Sequence, residues 1–141
     1  MTTLPNLLQR SYQEVPDKTS IILQHAGQAD KPLTYRDLIR GANRFALTYA
    51  REGIKPGEVV ILIQQHGEDL VYAFWGAILH GAIPSIMPFL TEKLAPEKYR
   101  ADLASLISIT KPTTIVTYPE FEAEVRSALV EGDSVQHVIL T

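Results

Sequence analysis

The chain has 141 residues, a length that fits one domain with a real buried core. Apolar residues make up 45% and charged residues 21%, far from a disordered composition, and a formal charge of -3 gives no basic face for nucleic acid. There are no cysteines, which excludes disulfides, thiolate metal sites and a cysteine nucleophile together and fits the cytoplasm.

Residues 1–10 lack the basic and apolar regions of a signal peptide. The longest apolar stretch, residues 77–89, is interrupted by His80, Gly81, Pro84 and Ser85 and is too short to span a bilayer. A soluble, intracellular protein is expected.

Leu4, Leu7, Leu8 and Tyr12 predict a first amphipathic helix, stopped at Val15 and Pro16. Residues 20–23 read as a strand, 26–30 as a polar turn and 32–34 as the returning strand of a short hairpin. Thr34 with Asp37 three residues on resembles a capping box. Leu38, Ala42, Phe45 and Tyr49 then fall on one helical face, and Gly53 supplies a left-handed cap. After the Lys55–Pro56–Gly57 turn, residues 58–63 form an apolar, largely β-branched run, as in a strand covered on both faces.

A helix is predicted from His66, with Glu68 and Asp69 suiting its N-terminal dipole, an inner face of Leu70, Phe74, Ala77 and Ile78, and Gly81 as its end. Residues 83–87 form a short apolar strand. Pro96 opens a helix (Tyr99, Leu103, Leu106, Ile107) that Lys111 and Pro112 terminate, and residues 113–117 are a strand. Pro119 opens a last helix (Phe121, Val125, Leu129) with Gly132 as cap, and residues 135–140 are a final strand. The alternation from residue 58 onward predicts an α/β fold: a mainly parallel sheet with flanking helices, preceded by the N-terminal helix and the hairpin.

Catalytic motifs are sparse. Gly76 and Gly81 have P-loop spacing, but position 82 is Ala where a phosphate needs Lys, so close packing and a helix cap explain them better. No GxGxxG and no GxSxG occur. Ser85, Ser105 and Ser108 lie in a strand and a helix, and the carboxylates Glu68, Asp69, Glu120, Glu122 and Glu124 gather at helix starts, where the macrodipole accounts for them. Trp75 reads as packing. His25, His66, His80 and His137 form no metal motif. His66, with Gln64 and Gln65 beside it, follows the buried strand on the side of a parallel sheet where ligands collect, although a solvent-facing loop explains the trio without any ligand and is the better reading. No catalytic, cofactor-binding or metal residue is assigned.

Four stretches carry a family likeness. Leu33-Thr34-Tyr35-Arg36-Asp37-Leu38 resembles the "LTYxEL" element of adenylate-forming enzymes, with Asp37 for the usual Glu. Gly53-Ile54-Lys55-Pro56-Gly57-Glu58-Val59-Val60-Ile61 is similar to "GVKPGDRVAI". Ala73-Phe74-Trp75-Gly76-Ala77-Ile78-Leu79-His80-Gly81-Ala82-Ile83-Pro84 resembles the family's helix ending "KAGAxxVPL", with His80 at the usual Ala position. Lys111-Pro112-Thr113-Thr114-Ile115-Val116 resembles "KPxxVVT".

The resemblance covers most of the chain, with order and spacing kept. It implies part of the adenylation domain of an ATP- and magnesium-dependent ligase that activates a carboxylic acid as acyl-AMP and passes it to coenzyme A or a carrier-protein thiol. In that family the phosphate loop and the catalytic groups come later than the matched region. Residues 1–141 are therefore expected to be an incomplete, inactive N-terminal part that self-associates. The segment between Pro88 and Lys111, longer than in many relatives, resembles that of the ligases acting on fatty or polyketide-type acids, which implies an acid of that class, such as a fatty acid, as the substrate. The alternative is a free-standing α/β binding or interaction module without adenylation activity. A receiver-like domain should show an acidic pair after its first strand and an Asp ending a central strand, but here the central strand ends Ile63-Gln64-Gln65.

Overall fold

A computed structural model describes all 141 residues. Its elements run α1 (Leu4–Glu14), β1 (Thr19–Leu23), β2 (Lys31–Thr34), α2 (Tyr35–Arg51), β3 (Val59–Leu62), α3 (Glu68–His80), β4 (Ile83–Ile86), α4 (Pro96–Thr110), β5 (Thr114–Thr117), a 3-10 turn (Pro119–Phe121), α5 (Glu122–Ala128) and β6 (His137–Leu140). β1 and β2 pair as an antiparallel hairpin. The other four strands form an all-parallel sheet in the order β4-β3-β5-β6.

β3 lies at the centre because its apolar side chains suit burial on both faces. Val60 and Leu62 point to one face and pack with Val116 against Tyr49 of α2 and Ala73 and Ala77 of α3. Ile61 and Ile63 point to the other, meeting Tyr99, Leu103 and Ile107 of α4 and Val125 of α5. A third cluster, Leu8, Leu33, Leu38 and Tyr72, fastens α1 and the hairpin to the outer side of α2 and α3. Burying each large side chain contributes roughly 1.5–3 kcal/mol before the opposing entropy.

Local chemistry sets the helix limits. The Thr34 backbone N–H donates to Asp37 Oδ2 at 2.9 Å, and the Asp37 N–H donates to Thr34 Oγ1 at 3.1 Å, closing the expected capping box. A second box, between Thr3 and Asn6, opens α1. α4 ends on Lys111 in a left-handed conformation (φ 48°) just before Pro112.

Two expectations are corrected. Of the expected inner face of α3, Ala77 is fully buried and Leu70 and Phe74 pack half-buried against its cluster, but the fully buried positions centre on Tyr72, Ala73, Gly76 and Ala77, and Ile78 is only half-buried. This helix is apolar nearly all round, so periodicity could not choose the face. Close approach to α2 chose the small residues instead. Gly132 is not a helix cap, because α5 ends at Ala128 with Leu129 extended, and Gly132 (φ 87°) sits in a later turn.

The helix packing is unusually close at two glycines. A Cβ on Gly76 would lie 2.5 Å from Phe45 Cβ and 2.7 Å from the Ala42 carbonyl oxygen, and one on Gly41 would lie 2.3 Å from the Tyr72 ring. Across the same seam the Tyr49 hydroxyl donates to the Ala73 carbonyl at 3.0 Å. Gly76 is thus a packing residue, and Gly81 (φ 89°) is the left-handed cap of α3.

Candidate functional site

The carboxyl ends of β3 and β5 open onto a polar cleft of about 700 Å³. From the loop after β3 come Gln64, Gln65 and His66, from the start of α3 come Gly67, Glu68 and Asp69, and from beyond β5 come Tyr118, Pro119 and Glu120, with Thr141 at one side. Hydrogen bonds hold the two strand ends level. The Ile63 N–H donates to the Val116 carbonyl at 2.9 Å, Thr117 Oγ1 donates to the Ile63 carbonyl at 3.0 Å, and the Thr141 N–H donates to the Thr117 carbonyl at 3.1 Å.

Gln64 is 5% exposed. Its Oε1 accepts a long 3.4 Å bond from Thr141 Oγ1, while its Nε2 is buried without a partner. Gln65 and His66 are exposed, and the His66 ring meets Phe89 edge-on with centroids 5.8 Å apart. Gly67 opens α3 and offers no side-chain cap, so the first N–H groups of that helix lack a side-chain acceptor. Glu68 is held below the usual carboxylate range, chiefly by its bond from Lys31 Nζ, and also accepts from the Tyr72 hydroxyl at 3.1 Å. Burial first, then that bond, pushes the Tyr72 hydroxyl up to about 12.

The structure therefore gathers Gln64, Gln65 and His66 with Glu68, Asp69 and Glu120 in one cleft, and scatters the other candidates. Glu122 and Glu124 pair with Arg126 and Arg100 on the surface. His25 is exposed in the hairpin turn, the His80 ring bonds the Ile54 carbonyl, and His137 lies 3.5 Å from Glu52. Tyr118 and Thr141 are cleft residues that the sequence reasoning missed. Their signal is position alone, since each follows a strand of the parallel sheet on the side where such sheets bind ligands.

Three carboxylates line the cleft and no Lys or Arg does. It does not suit the phosphates of a magnesium nucleotide, whose charge calls for cationic groups or a glycine-rich nest of N–H donors. Nor does any group of three or more His, Asp or Glu side chains come close enough to hold a metal.

No family model matches the chain. It is 32% identical over 107 residues to the nonribosomal peptide synthetase acyN of Ascocoryne sarcoides, covering 72% of this chain and 11% of that protein. Over 137 residues it is 25% identical to enterobactin synthase component E of Escherichia coli K12, covering 92% of this chain and 23% of that protein. The crystal structure of a fatty acid AMP ligase from Legionella pneumophila superposes with a TM-score of 0.75 at 19% identity, over 97% of this chain and 23% of that one. The chain belongs with the adenylate-forming enzymes. It spans about a tenth to a quarter of the length of these relatives. In this chain the capping box at Thr34, the turn at Lys55–Pro56–Gly57 and the glycine seam of α3 set helix limits and the spacing between helices.

Proposed function

We propose that the chain is the N-terminal wall of the adenylation domain of an acid–thiol ligase. The complete enzyme activates a carboxylic acid: a carboxylate oxygen attacks the α-phosphorus of ATP and pyrophosphate leaves with the electron pair of the broken bond. A thiol, of coenzyme A or a carrier protein, then attacks the acyl carbon and releases AMP. Magnesium neutralises phosphate charge in that chemistry. None of these steps is assigned to residues 1–141, whose cleft suits neither the nucleotide nor the metal.

The observation that carries the proposal is the agreement between four family-like stretches in order and a fold that matches the L. pneumophila ligase along nearly the whole chain. That ligase also supports a fatty acid as the substrate, and the cytoplasm is the compartment in which we place the enzyme. The 141-residue chain by itself is inactive and self-associates.

ATP–pyrophosphate exchange tests this directly. The 141-residue chain, purified free of host ligases, is expected to show no exchange with any acid in a panel from acetate to long-chain fatty acids. Exchange by this chain alone would overturn the assignment of the chemistry to residues outside it.

A further inference from the structure

We draw no further inference here: the strongest candidate, the polar cleft beyond the carboxyl ends of β3 and β5 where the uncapped start of α3 lies beside the buried and unpartnered Gln64 Nε2, belongs to the site already described, and nothing in the structure shows what lies against its open side at Thr141.

Discussion

Replacing Gly76 by Ala should destabilise the fold even though it improves the helix. In an exposed helix interior this change gains about 1 kcal/mol from propensity. Here the new methyl would lie 2.5 Å from Phe45 Cβ, 2.7 Å from the Ala42 carbonyl oxygen and 3.1 Å from the Ala46 nitrogen. Ordinary carbon contacts are about 3.5–4.0 Å. All three neighbours belong to the α2 backbone or are fixed directly to it, so no rotamer change relieves the clash. α2 and α3 must separate by about 1 Å, loosening the cluster around Tyr49, Val60, Leu62 and Ala73. Overpacking of this kind costs about 1–3 kcal/mol, and a clash with backbone belongs at or above the top of that range. Net of the propensity gain, the loss is about 2 kcal/mol, which for a chain of this size lowers Tm by roughly 5–10 °C. Urea and thermal unfolding followed by circular dichroism measure it. Equal or greater stability than wild type would show that α2 and α3 do not meet at Gly76, and would refute the close packing of the two helices.

Two further outcomes follow from single side chains. Asp37 sits below its ordinary range because the Thr34 N–H donates to it, so its folded pKa is depressed; the contribution is present above the unfolded value near 3.8 and is lost as pH falls through the lower folded value. Asp37→Ala should therefore cost about 1 kcal/mol near neutral pH, and the difference in Tm from wild type should shrink on acidification below pH 4; a difference constant down to pH 2 would sink the capping account. Gln64→Met replaces a buried amide whose Nε2 has no partner and whose only bond is 3.4 Å long, and should raise stability by about 1 kcal/mol in urea unfolding; a loss of that size would mean that the amide is satisfied in the folded protein.

Most of the architecture was legible because local signals agreed with the global fold. The Thr34–Asp37 box, the Lys55–Pro56–Gly57 turn and the proline starts of α4 and of the 3-10 turn marked element limits to within a few residues. The β-branched run at β3 marked a strand covered on both sides, and strand–helix alternation then required parallel pairing. The buried face of α3 stayed hidden. In a helix apolar nearly all round, the face is chosen by which surface can approach a neighbour most closely. That depends on Gly41 and Gly76, in two different helices, meeting the partner helix across one seam.

The cleft was half legible for a similar reason. Gln64, Gln65 and His66 adjoin one strand and could be read together, whereas Tyr118, Glu120 and Thr141 reach them only once β5 and β6 lie in register beside β3. No local pattern carries that juxtaposition. A nucleotide site concentrates donors and cations where phosphate charge falls, and here three carboxylates line the space, Glu68 paired with Lys31 behind it, and no Lys or Arg lines it. The motifs that tie this chain to adenylate-forming enzymes are caps, turns and glycine contacts, residues whose role is to set the distance between layers. Positioning of this kind is what phosphoryl chemistry asks of its surroundings, since small displacements of reacting groups cost large factors in rate. On the reading proposed above, residues of this kind carry the family likeness, in order and in register, by setting the spacing of the layers.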